Sequence, residues 1–190
     1  MSKKILIISG SPKKDGNTAL LIKWFIEGAR EKNAVVEIVN AAYLKYKHPG
    51  CISCRQCQKN VEYGCVIDDD AGPVLIKMIS ADVIVMASPL YFFGASSQIK
   101  ILVDRMFSLY KWDNAAGTMQ TPLKGKTLVF LGSAFEDIGL DALEKPFALT
   151  AEYTGMPFES LLVAHAGTSG EIVKLPEAQD RAKTLGRKVA

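Results

Sequence analysis

The sequence predicts an α/β fold: a doubly wound, five-stranded parallel sheet with helices on both faces. Three observations carry this. Short continuous apolar runs bounded by Gly, Pro or Asp recur along the chain and read as strands buried on both faces. Segments with a 3.6-residue period lie between them, and strand–helix alternation demands right-handed crossovers and a parallel sheet. The chain's 190 residues, 48% apolar and 23% charged, suit one globular domain.

The strands are expected at Ile5–Ser9, Val35–Asn40, Val83–Ala87, Thr127–Leu131 and Leu161–Ala164. The first helix follows Thr18 over Ala19–Arg30, with Leu21, Phe25 and Ala29 at i, i+4, i+8. Val74, Leu75, Met78 and Ile79 stripe a second, in which Pro73 is tolerable only within the first turn. From Ser97, the stripe Ile99, Leu102, Val103, Met106, Phe107 and Tyr110 marks a third. Ala142–Thr154 is a fourth, ending at Gly155, with Pro146 pointing to a start later than Ala142. Ala178, Ala182, Leu185 and Val189 stripe the last.

Five strands at this spacing suit the flavodoxin-like order 2-1-3-4-5. The expectation is a single domain over residues 1–190 with a Cys-rich loop insertion at about 41–70.

The charge balance excludes some functions. With 23 Lys+Arg against 20 Asp+Glu the net charge is +3, and no basic run exceeds two residues. That is too little for a nucleic-acid partner. No apolar stretch approaches the roughly 18–20 residues that span a bilayer. The apolar run Ile5–Ile8 is too short for a signal peptide. The chain reads as cytoplasmic, where thiols stay reduced.

In a doubly wound sheet, ligands bind beyond the carboxyl ends of the strands, at the switch point. The first strand runs out into Ser9-Gly10-Ser11-Pro12-Lys13-Lys14-Asp15-Gly16-Asn17-Thr18. Gly10 and Gly16 let the backbone curl so that N–H groups turn inward. Ser11, Asn17 and Thr18 add side-chain donors, Lys13 a cation, and the helix N-terminus a partial positive charge. Each component suits a phosphate monoester. Neither the P-loop pattern nor Gly-x-Gly-x-x-Gly is present. The plainer reading is an Asn/Thr-capped helix after a glycine turn.

Cys51, Cys54, Cys57 and Cys65 form C-x2-C-x2-C-x7-C. Chance clustering of this kind is on the order of 0.002. Three readings stand: an iron–sulfur cluster, free or redox-active thiols, and zinc. Asp68–Asp70 read as the cap of the helix that follows. His48 and His165 form no nucleophile triad or metal pair. After the third strand come Pro89, Leu90, Tyr91, Phe92, Phe93 and Gly94, an aromatic platform beside the phosphate cradle. The plainer reading there is a hydrophobic cover over the helix–sheet seam.

Together these residues resemble the NADPH-dependent FMN reductase family. The resemblance rests on Gly10-Ser11-Pro12…Gly16-Asn17-Thr18, Asp68-Asp69, Ser88-Pro89-Leu90-Tyr91-Phe92, Gln98 to Arg105 and Gly170-Glu171-Ile172. With the compact cysteine motif it is most similar to the iron–sulfur flavoprotein branch.

The resemblance implies FMN with its phosphate on Ser11, Lys13, Asn17 and Thr18. It implies an isoalloxazine ring against Pro89 to Gly94 and the loop at Gly132-Ser133-Ala134. It also implies a [4Fe–4S] cluster on Cys51, Cys54, Cys57 and Cys65, and a homodimer or homotetramer. The expected activity is FMN-dependent electron transfer between NAD(P)H or a ferredoxin-like donor and an acceptor. The cofactor carries the chemistry, so no general acid or base is assigned. Two alternatives stand beside it: a non-catalytic flavodoxin-like carrier and a zinc-stabilised module without flavin.

Overall fold

The structure is a computed structural model and describes residues 2–113 and 115–190. Five parallel strands form the main sheet: β1 (Lys4–Ser9), β2 (Val35–Asn40), β3 (Val83–Tyr91), β7 (Thr127–Ser133) and β8 (Phe158–Val163). Their order is β2-β1-β3-β7-β8, the flavodoxin-like arrangement that the alternation predicts. A two-residue strand, β4 (Gly94–Ala95), pairs antiparallel with the end of β3. A separate hairpin joins β5 (Lys111–Asp113) and β6 (Thr118–Gln120).

Side chains along each central strand alternate between two cores. Ile5 and Ile7 of β1, Val83 and Val85 of β3, and Val129 and Leu131 of β7 face α1 (Asn17–Arg30) and α6 (Pro176–Val189). Leu6 and Ile8, Ile84 and Met86, Leu128 and Phe130 face the other way. There they meet α3 (Ala71–Ser80), α4 (Ser97–Arg105) and α5 (Leu140–Thr154). No residue of the short α2 (Gln56–Lys59) belongs to either core.

Helices α1 and α6 touch through their backbones. A Cβ on Gly28 would lie 2.0 Å from Lys183 O, and one on Gly186 would lie 2.1 Å from Phe25 O. Only glycine permits that approach.

Two expectations need correction. Helix α5 starts at Leu140, before Ala142, and carries Pro146 inside it. The ring removes one hydrogen bond, and the buried face of Leu143, Phe147 and Ala151 holds the helix across it. The Asp68–Asp70 run does less capping than expected. Of the three, Asp69 alone bonds a first-turn N–H, that of Ala71 at 3.1 Å, and its main partner is Arg105. Among the described residues no helix is long and apolar enough to cross a membrane.

Candidate functional site

The turn after β1 is drawn against the sheet by its backbone. Gly10 N–H donates to Ala87 O at 2.7 Å, and Ser96 Oγ donates to Gly10 O at 2.7 Å. A Cβ on Gly10 would stand 2.6 Å from Ser96 Oγ and 2.7 Å from Ile99 Cβ. Gly10 therefore serves the close approach of α4. Neither it nor Gly16 has a positive φ, so the expected curl is not their role. Ser11 Oγ accepts from Lys13 N–H at 3.2 Å, which folds the loop back on itself.

Helix α1 opens with Gly16 at its N-cap and no side-chain cap. Its first-turn N–H groups and dipole are left for an external acceptor. Around this end lies a hollow of about 200 Å3. Nine of the predicted residues line it: Ser11, Lys13, Asn17 and Thr18 from the first turn, Pro89, Leu90 and Tyr91 from the third, and Ser133 and Ala134 at the end of β7. Phe135 beyond them, with Ala166, Gly167 and Ser169 after β8, completes the wall. Among the described residues Lys13 is the only charged side chain lining it, so the field inside favours an anion.

Two of the expected phosphate donors have other work. Asn17 Nδ2 donates to Ala166 O at 2.6 Å and Thr168 O at 2.8 Å, and its Oδ1 accepts from Ile172 N–H at 3.2 Å. It clips the 166–172 loop to α1. Thr18 Oγ1 lies 2.8 Å from Ser133 Oγ, tying the first loop to the fourth. Both side chains position the wall, and the backbone amides with Lys13 remain for the anion. Glu171 closes the 166–172 loop from below, accepting from Thr168 N–H at 3.0 Å and Gly167 N–H at 3.2 Å. These donors hold its carboxyl below the usual range.

A second hollow of about 280 Å3 adjoins the first, sharing Leu90 and Phe135 with it. Phe92, Phe93 and Ile138 supply the rest of its apolar wall. Phe92 and Phe93 have φ of 45° and 64°, the left-handed pair that a type I′ turn requires. Each costs about 1–2 kcal/mol in a residue with a Cβ. Two adjacent aromatics are thus held in strained backbone beside the hollow. Phe92 is fully exposed. Phe93 packs over Gly139, where a Cβ would fall 2.5 Å from its ring, and Phe135 covers Gly167 at 2.0 Å on the same measure. Gly94 lines neither hollow; it pairs with Tyr91 in the β3–β4 ladder.

The four cysteines lie around a third hollow of only about 20 Å3. Cys57 is buried, Cys65 half-buried, and Cys51 and Cys54 exposed. Ser53 and Arg55, at φ of 56° and 55°, turn the chain between them. Among the described residues no three His, Cys, Asp or Glu side chains are grouped tightly enough to hold a metal ion as they stand. The fold brings four sulfur donors, and no carboxylate or imidazole, to the wall of one hollow.

Arg105 also lines that wall and is 1% exposed. Its Nη1 donates to Asp69 Oδ1 and Oδ2 at 2.8 and 2.7 Å, and its Nη2 to Ile67 O at 3.3 Å. Burial alone would lower its pKa, but Asp69 and the Cys65 sulfur raise it beyond its ordinary value. A cavity of about 1190 Å3 between α4, α5 and the β5–β6 hairpin shares Arg55 and Phe107 with the cysteine hollow; Trp112 and Tyr153 also line it.

The model of the family described as NADPH-dependent FMN reductase matches residues 3–164. An iron–sulfur flavoprotein of Methanocaldococcus jannaschii is 41% identical over 102 residues, which are 54% of this chain and 51% of that protein. The chain spans about half the length of the curated relatives it matches. An FMN-dependent NADH-azoreductase of Bacillus anthracis, solved with FMN, superposes with a TM-score of 0.74 at 18% identity, covering 98% of this chain and 99% of that one. An NAD(P)H:quinone oxidoreductase of Methanothermobacter marburgensis gives 0.73 at 15%, covering 100% and 98%. At these identities the two structures share the fold.

Proposed function

The chain belongs to the NADPH-dependent FMN reductase family, and from that premise we propose that it is an FMN-dependent oxidoreductase. It transfers electrons between NAD(P)H or a reduced carrier and an acceptor such as a quinone, free flavin or redox protein. One observation carries the reading. The uncapped N-terminus of α1 and Lys13 face a hollow with no other charge, and that hollow continues into one walled by aromatics. A phosphorylated chain ending in a flat ring fits both halves.

FMN, when bound, accepts a hydride or single electrons and passes them on. The protein's own residues do the rest. Lys13 and the first-turn amides hold the phosphate, whose double charge complements the helix dipole. Pro89, Leu90 and Tyr91 present backbone and edge to the ring. Phe93 and Phe135, each seated on a glycine, would flank it. Asn17 and Thr18 keep the loops at their spacing.

The same reading gives Cys51, Cys54, Cys57 and Cys65 to a [4Fe–4S] cluster that exchanges single electrons with a partner. Its support is the all-sulfur donor set around one hollow and the description of the similar archaeal chain as an iron–sulfur flavoprotein. Assembly as a homodimer or homotetramer belongs to the proposal too. Tyr91, Phe92, Phe93, Phe135 and Ile138, all exposed, form the apolar surface that supports it.

The test is anaerobic turnover of FMN-loaded protein with NADPH or NADH and a quinone. Steady oxidation of either nucleotide is expected. Flavin that stays bound and is never reduced by either nucleotide would instead favour the non-catalytic carrier.

A further inference from the structure

Among the described residues, one buried side-chain nitrogen or oxygen lacks a hydrogen-bond partner: Arg105 Nε. The other two nitrogens of that guanidinium are engaged by Asp69 and Ile67. An orphaned N–H on a buried cation is costly unless something accepts from it. The same side chain lines the hollow of the four cysteines.

From this geometry we infer that Arg105 Nε is the charge-assisted donor to the sulfur of an anionic, thiolate-bound cluster in that hollow, and so sets its reduction potential. The inference rests on the cluster reading above. Its physical basis is simple. Four thiolates around a cluster carry net negative charge, and reduction adds one more. A buried N–H carrying positive charge favours the more negative state, so it raises the potential. Asp69, with both oxygens on Nη1, fixes the guanidinium plane and so the direction of Nε. Arg105 is thus a positioning and tuning residue, supplying no ligand itself.

The experiment uses anaerobically purified protein carrying FMN and reconstituted with iron and sulfide. Iron and sulfide are counted, and the cluster is titrated by EPR. Arg105→Lys keeps the charge and the Asp69 partner but has no Nε; the double variant Asp69→Asn/Arg105→Gln removes both charges together, which spares the core an unpaired ion. In both, the one-electron reduction equilibrium is expected to shift about tenfold toward the oxidised form, about 59 mV more negative. A purely structural role for Arg105 would change unfolding and leave this potential where it is.

Full iron with an unchanged potential in both variants overturns the inference and leaves the cluster reading intact. A wild-type protein that binds FMN but takes up no iron overturns the cluster reading, and the inference falls with it. Should either variant fail to fold, protein labelled with 15N-arginine and carrying Arg55→Lys decides, since Arg55 is the other arginine lining the hollow. A 15N hyperfine coupling to the reduced cluster supports the contact, and its absence refutes it.

Discussion

Asn17, in the first turn of α1, and Ala166, just past β8, are joined by a 2.6 Å hydrogen bond across 149 residues of sequence. With the bonds to Thr168 and Ile172 it makes one amide side chain the clasp of a whole loop.

Replacing Asn17 with Ala should therefore act on stability and on the hollow together. Three backbone partners are lost, at about 1 kcal/mol each. A loss of about 2–4 kcal/mol is expected in urea denaturation, with weaker FMN binding. Asn17→Asp keeps the bond from Ile172 but sets a carboxylate against two carbonyls beside an anion site, so it should bind FMN more weakly than the alanine variant.

Asp69 links stability to pH. Burial tends to raise its pKa, but hydrogen bonds from Arg105 and from the Lys47 and Ala71 amides, with the guanidinium charge, hold it below the usual carboxylate range. A depressed folded pKa means that the unfolded chain binds the proton more readily. The stabilisation is complete above the unfolded value of about 3.9 and is lost as pH falls through the folded one. Unfolding free energy should thus decline below about pH 4 in wild type. Asp69→Asn should lack that share of the slope and lose about 3–5 kcal/mol at neutral pH, because Arg105 is left unpaired. Glu171 titrates in the same window, so the difference between the two urea profiles is the quantity to read.

Phe92 tests whether the strained turn is functional. Its side chain is fully exposed and its φ is 45°, so it contributes strain without burial. Phe92→Asn should raise stability by about 1 kcal/mol, since asparagine tolerates the left-handed region. NADPH-dependent turnover should fall. A variant that gains stability and keeps full turnover would make the turn a structural accident.

These effects show what a reader of the sequence can and cannot see. The apolar cores of β1, β3 and β7 were legible because burial on both faces leaves a continuous apolar run; β2 was legible from its β-branched residues alone, since it is an edge strand with Val35 and Ile38 exposed. The extension of β3 to Tyr91 was hidden, since Ser88-Pro89 ends such a run while the backbone goes on pairing, with β7 to Pro89 and with β4 to Tyr91. The first and third loops carried their signal in side chains. Ala166, Gly167 and Ser169 did not, because they build the wall with backbone; their only trace was the Gly/Ser/Thr cluster after the last strand. Arg105 was equally hidden. It sits on an amphipathic helix where a cation normally faces water, and only the meeting with Asp69, 36 residues away, takes it inside.

The central claim is that the α1 end of the sheet holds a singly phosphorylated flavin. Titration of flavin-free protein with FMN, followed by quenching of flavin fluorescence, tests it most directly. One FMN per chain is expected, with riboflavin binding far more weakly and Lys13→Ala losing about tenfold to a hundredfold in affinity. Equal affinity for riboflavin and FMN, indifferent to Lys13, would contradict it.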